Sequence, residues 1–155
     1  MTRWLSDDEQ ATWRSFLVAS RLLWDQVERQ LQNDSGLPHA YYEILVQLSE
    51  APERRLRMNQ LASTSLSSRS RISHAVARLE EAGWVVRVAC GTDGRGLDAV
   101  LTDAGLEQLR STAPGHVEQV RELLIDPLSP EQLAALRDIS ETLVEHLRRT
   151  SPFPV

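Results

Sequence analysis

The chain contains no lysine: all seventeen basic residues are arginine, a compositional bias to which no function is attached. It has one cysteine, Cys90, which excludes an intrachain disulfide and a disulfide-stapled scaffold. No apolar run approaches the length needed to cross a bilayer. The opening residues MTRWLSDDEQ are acidic and lack the apolar core of a signal peptide. A cytoplasmic location without membrane association is expected. Internal repeats and low-complexity segments are missing as well. So are common catalytic motifs: there is no Gly-rich phosphate loop, no G-x-S-x-G and no H-E-x-x-H. His39, His74, His116 and His146 show no paired ligand spacing, so a metal site has no support. Neither an enzyme nor a bound cofactor is expected.

What is present is globular: 155 residues, 41% hydrophobic and 25% charged. That length suits one domain with appended helices, whose modest core a partner chain can complete. The net charge of −5 argues against a nucleic-acid binder until its distribution is read. Residues 51–95 hold eight Arg against four acids, a net +4. The rest of the chain holds nine Arg against eighteen acids, a net −9. An acidic body would repel DNA everywhere except at this segment.

Periodicity and capping residues place the elements. Ser6 and Glu9 form an S-x-x-E box opening a helix from Asp7 to about Gln32, and Asn33–Gly36 breaks it. A second helix starts near Pro38, at a first-turn position, and ends before Pro52. A short helix runs from Met58 to about Ser63. A fourth runs from about Ser68 to Ala82, with Gly83 as its C-terminal cap. Trp84–Ala89 and Leu97–Leu101 read as the two strands of a hairpin. Thr102 caps a helix reaching about Ile125, which Pro114-Gly115 should kink or interrupt. Ser129, Pro130 and Gln132 open a last helix with an apolar stripe from Leu133 to Leu147.

The fourth helix carries the chemistry. Ile72, Ala75, Val76 and Leu79 form an inner stripe. The outward side then presents Ser70, Ser73 and His74, with Arg71 and Arg78 on a flank and Ser68 and Arg69 at the start. Slim polar side chains allow close approach to a major groove, and Arg can address guanine or phosphate. The hairpin tip brings Arg95 to an adjacent minor groove, with Asp93 two residues earlier to hold its guanidinium. Read singly, the helix face is ordinary solvated surface and Asp-Gly-Arg a polar turn. In sequence with the short helix before and the hairpin after, they describe a two-groove reader. Long amphipathic segments at both ends point to packing against a second copy, and a two-fold dimer would match a palindromic site.

The stretch from QLASTS to LTDAG resembles the winged helix-turn-helix of the MarR family of bacterial transcription regulators. The matching pieces are Arg78-Leu79-Glu80, Gly83-Trp84-Val85, Asp93-Gly94-Arg95 and Leu101-Thr102-Asp103-Ala104-Gly105. The resemblance implies a mainly α fold with a small β-hairpin wing. It implies dimerisation helices over 1–36 and 103–150 around a DNA-binding lobe over 37–102. It further implies a homodimer repressing a nearby gene until a small ligand releases it. Family ligands are small aromatic or phenolic acids held between the dimer helices and the lobe. Trp13, Phe16, His39 and Tyr42 are the candidates here, with Arg14 as carboxylate partner; the competing reading makes the aromatics dimer core and His39 a helix-start residue. Peroxide-sensing members place their cysteine near the start of the first helix. This chain has none there, so Cys90 reads as a structural or incidental thiol. The wing loop CGTDGRG departs from the family in carrying Arg95 as its single basic residue. The rival reading of the whole is a winged-helix protein-interaction module that has lost DNA binding.

Overall fold

The computed structural model describes residues 1–65, 67–90 and 96–150. Among the described residues, six α-helices surround one small sheet: α1 (Asp7–Ser35), α2 (His39–Glu50), α3 (Met58–Thr64), α4 (Arg69–Glu81), α5 (Asp103–Val120) and α6 (Pro130–Thr150). The sheet is antiparallel, with strands β1 (Arg55–Arg57), β2 (Val85–Ala89) and β3 (Leu97–Leu101) in the order β1-β3-β2. This is the mainly helical winged architecture the sequence predicts, with one strand added.

Local chemistry sets most helix ends. Ser6 Oγ accepts the Glu9 N–H at 3.2 Å while Glu9 returns a carboxylate oxygen to the Ser6 N–H at 2.8 Å. α1 outruns its expected end near Gln32. The Asp34 carboxylate accepts from Gln30 Nε2 (2.8 Å), and the Ser35 hydroxyl bonds back to the Leu31 carbonyl (2.8 Å), so these polar residues stay helical until Gly36 turns the chain at φ 67°. Pro38 sits one position earlier than expected, as the N-cap of α2. Ser129 and Gln132 form the reciprocal box that opens α6.

Two expectations are corrected. β1 is absent from the sequence reading. Its three residues follow a turn over Pro52–Arg54 in which Glu53 and Arg54 both take φ 53°, and its pairing of Arg55 with Val100 and Arg57 with Asp98 is supplied by β3. Pro114 does not interrupt α5, which continues to Val120 and passes into a π-helical turn over Arg121–Ile125. Pro114 and Arg110 are both exposed. The Arg110 carbonyl that loses its helical donor can therefore turn to water instead of being stranded in a core.

The core lies where α1, α2, α4, α5 and the sheet converge. Leu31, Leu37, Leu45, Leu48, Leu61, Val76 and Val85 are buried there. α4 ends in a Schellman turn: Trp84 N–H reaches the Leu79 carbonyl (3.0 Å) and Gly83 N–H the Glu80 carbonyl (2.9 Å), with Gly83 at φ 77°. Thr102 then joins α5 to this turn. Its N–H donates to the Trp84 carbonyl (3.0 Å) and its hydroxyl to the Gly83 carbonyl (2.7 Å). Its hydroxyl oxygen also caps α5 by accepting the Gly105 N–H (3.0 Å). Gly105 lies so close that a Cβ there would stand 2.1 Å from the Trp84 carbonyl oxygen.

Candidate nucleic-acid interface

α2, α3 and α4 form the helix-turn-helix. α3 is short but well seated, with Leu61 and Ala62 buried. Its end is held to α2 through Gln47, whose Oε1 accepts from Thr64 and whose Nε2 donates to Ser65 Oγ at 3.2 Å. Ser68 opens α4 by accepting the Arg71 N–H at 3.3 Å. Ile72, Ala75, Val76 and Leu79 are buried, as the inner stripe requires. That burial turns Arg69, Ser70, Arg71, Ser73, His74 and Arg78 outward as exposed residues, with Ser68 half-buried at the start.

The arginines of this face differ in what already holds them. Arg69 and Arg71 make no ion pair among the described residues, so their charge is uncommitted. Arg78 pairs with Glu81 at 2.8 Å, and that hydrogen bond raises its pKa further. Any phosphate contact by Arg78 has to compete with Glu81. Asp93 and Arg95, the expected wing-tip pair, lie outside the described residues.

Glu80 and Arg87 join α4 to the wing. The Glu80 carboxylate accepts the Arg87 backbone N–H (3.0 Å), its Nε (2.9 Å) and its Nη2 (2.7 Å). These bonds hold the Glu80 pKa below the usual carboxylate range, the backbone N–H contributing most. Charge-assisted, multidentate contacts of this kind fix orientation as well as distance. Reading helix and wing root therefore behave as one body.

The ligand candidates fall into two groups. Trp13 and Phe16 are exposed on α1 and stack on each other at a centroid distance of 6.4 Å. Arg14 donates to Gln10 at 3.3 Å. His39 and Tyr42 lie elsewhere, at the junction of α1, α2 and α5. His39 meets the edge of Trp24 at 4.9 Å, and Tyr42 faces His116 at 4.6 Å. Trp13 and Trp24 are eleven residues apart on α1, about 16 Å along the axis.

His116 is the residue sequence reasoning missed. It comes from α5, and its ring centroid lies 6.0 Å from that of His39. Nothing in local spacing marks it; only the convergence of three helices does. Its Nδ1 is buried without a hydrogen-bond partner among the described residues. Burial first, and the neighbouring His39 second, lower its pKa from the ordinary value of 6.5. Below that value the folded chain binds fewer protons at His116 than the unfolded chain does, so stability falls as pH drops through it. Melting temperatures measured between about pH 7.5 and 5 should therefore fall more steeply for the wild type than for His116→Gln. Parallel curves would refute this role for the buried ring.

A helix-turn-helix whose last helix turns Ser, His and Arg outward, braced to a small antiparallel wing, defines a winged-helix regulator. The MarR family model matches residues 35–96. Sco3205 of Streptomyces coelicolor, a MarR family transcriptional regulator crystallised in complex with DNA, is 51% identical, with a TM-score of 0.95. That match covers 99% of this chain and 97% of Sco3205. AbsC, a MarR family regulator from the same organism, is 49% identical over 95% of this chain and 99% of its own, with a TM-score of 0.91. PecS of Dickeya dadantii, an HTH-type transcriptional regulator, is 30% identical over 89 residues, 57% of this chain. That alignment spans 53% of the length of PecS. The chain belongs to the MarR family of transcriptional regulators.

Proposed function

We propose that the chain binds double-stranded DNA as a homodimer and represses a nearby gene in the cytoplasm. The observation that carries this reading is the outward face of α4, where Arg69 and Arg71 are exposed and uncommitted to any described acid. The likeness to Sco3205, whose structure was determined with DNA, supports it. Ser68, Arg69, Ser70, Ser73 and His74 read base edges in the major groove, Arg71 and Arg78 touch phosphates, and Arg95 enters the minor groove, steadied by Asp93. Residues 37–102 form the reading lobe, and 1–36 and 103–150 form the dimerisation helices. Support for the dimer comes from apolar side chains left exposed on α1 and α6, among them Trp13, Phe16, Ile139 and Leu147. A two-fold dimer offers two reading helices to the halves of a palindromic operator.

A small aromatic or phenolic ligand releases the DNA in this proposal. Support comes from the cluster in which His39 and Tyr42 meet Trp24 and His116, because it joins α1 and α5 to the lobe. Trp13, Phe16 and Arg14 belong instead to the exposed surface of α1.

Gel-shift titrations with DNA upstream of the chain's own gene test the reading. Arg71→Ala should weaken binding and lower the slope of log affinity against log salt by about one unit. A wild-type chain that shifts no DNA at low salt would favour the protein-interaction module instead.

A further inference from the structure

Arg87 occupies an unexpected place in the wing. Along β2 the side chains alternate between the two faces of the sheet. Val85 and Leu101, paired in register, are buried on the inner face, and Ala99, opposite Arg87, is fully buried there too. Arg87 therefore stands on the face that packs inward, while Val86 is exposed on the outer one. A strand shaped by packing alone would reverse this order, with the apolar residue inside.

The space around it shows what the arginine does there. An open cleft of about 410 Å³ separates α4 from the wing, with Arg69 and Ser73 on one side and Arg87 and Leu97 on the other. Past Val85 the wing leaves the core, and Val86 and Leu97 are exposed. Glu80, on the last turn of α4, reaches across to it. Its carboxylate takes three Arg87 donors at once: the backbone N–H, Nε and Nη2, at 3.0, 2.9 and 2.7 Å. An apolar contact would permit sliding and rotation; a carboxylate bonded to both the strand and the guanidinium fork permits little of either. Both side chains are about one-third exposed, so the pair adds little to stability. What it supplies is an angle. β2 spans about 13 Å from Val85 to Ala89, so a swing of roughly 10° at its root displaces its far end by about 2 Å.

We propose that Glu80 is a positioning residue for DNA binding. It touches no DNA; through Arg87 it sets the pitch of the wing against α4, so that helix and wing tip engage their two grooves together. The proposal rests on the DNA-binding reading above, and it has a distinctive sign. Removing an acid from a DNA-facing segment ordinarily tightens binding, because a repulsive charge is lost. Removing this one also releases the Arg87 guanidinium. A brace requires the opposite result. Glu81, one residue on, calibrates the comparison, because it holds Arg78 at 2.8 Å within α4 itself.

The test titrates the full chain onto a duplex from upstream of its own gene, by gel shift at several salt concentrations and by footprinting. Glu81→Ala frees Arg78 and should tighten binding, with a salt slope steeper by about one unit. Glu80→Ala loses the same charge and should instead weaken binding about tenfold. Its hydroxyl-radical protection at the minor groove met by the wing should be lost, and dimethyl sulfate protection of guanines in the major groove under α4 should be kept. Glu80→Gln, isosteric and still able to accept the Arg87 N–H, should move affinity in the same direction by a smaller factor, which keeps the test open if Glu80→Ala does not fold. Arg87→Lys keeps the backbone bond and a charged donor and should keep the full footprint. If the Glu80 variants tighten binding as Glu81→Ala does, or weaken it with the footprint complete, Glu80 is no brace while the DNA-binding reading stands. If the wild type binds no DNA at low salt, that reading falls and the brace falls with it.

Discussion

Ile139→Glu combined with Leu143→Glu is expected to yield a folded monomer whose affinity for a palindromic site is lower by on the order of a hundredfold or more. The reason lies in α6. Its 21 residues bury none of their side chains against the chain itself, and its stripe of Leu136, Ile139, Leu143, Val144 and Leu147 is exposed. Most of a helix's stability in a protein comes from packing its amphipathic face, and this one is left uncovered by the chain itself. Covering a large aliphatic side chain contributes about 1.5–3 kcal/mol, so the stripe holds enough for a tight interface. Two buried charges would reverse that balance. The lobe has its own core and keeps its fold. What disappears is the second reading helix, and with it the gain from binding two half-sites at once. Light scattering reports the mass and gel shifts the affinity. A double variant that remains dimeric would place the interface elsewhere.

Gly105→Ala is expected to destabilise the chain by about 3 kcal/mol and to lower its melting temperature by roughly 6–12 °C. A Cβ at residue 105 would meet the Trp84 carbonyl oxygen at 2.1 Å, the Trp84 carbonyl carbon at 2.9 Å and Leu101 Cδ1 at 2.7 Å. The first two atoms are backbone and cannot rotate away, so α5 has to lift from the α4–β2 turn. That movement also strains the Thr102 bonds to Gly83 and Trp84. Gly83→Ala is the internal control. Nothing lies within 4 Å of a Cβ there, and only the left-handed backbone is penalised, at about 1 kcal/mol. Thermal melts of the two variants should differ severalfold in their shift; equal shifts would show that the close approach at Gly105 relaxes freely.

Most of what the sequence disclosed was local. Ser6, Ser68, Thr102 and Ser129 mark helix starts because a cap and its partner lie within three residues. The α4 stripe is legible because burial there repeats with the helix turn. β1 has no such signature: Arg-Leu-Arg is too short for alternation to register, and its partner strand lies some forty residues later. Pro114 misled for the opposite reason. The local rule is sound, but exposure at that point of α5 removes the cost on which it depends. The His116 cluster depends on elements distant in the chain: His39 and Tyr42 from α2 meet it only after α5 packs, so His116 reads as an ordinary helix residue in a one-dimensional view. Arg78 shows a near miss, since Glu81 three residues on was a visible competitor for its charge.

The Thr102 and Gly105 contacts have a mechanical consequence. They remove the pivot that would otherwise sit between the lobe and α5, so helix and lobe turn as a crank. α5 is about 27 Å long, and a tilt of roughly 5° carries its far end some 2 Å. The same tilt, applied at the distal end by whatever the arm is packed on, arrives at α4 undamped. Two angström is more than a hydrogen bond to a base edge tolerates. In the proposed dimer, a small rotation where two arms cross would thus be enough to bring a pair of reading heads into or out of step with the pitch of a duplex.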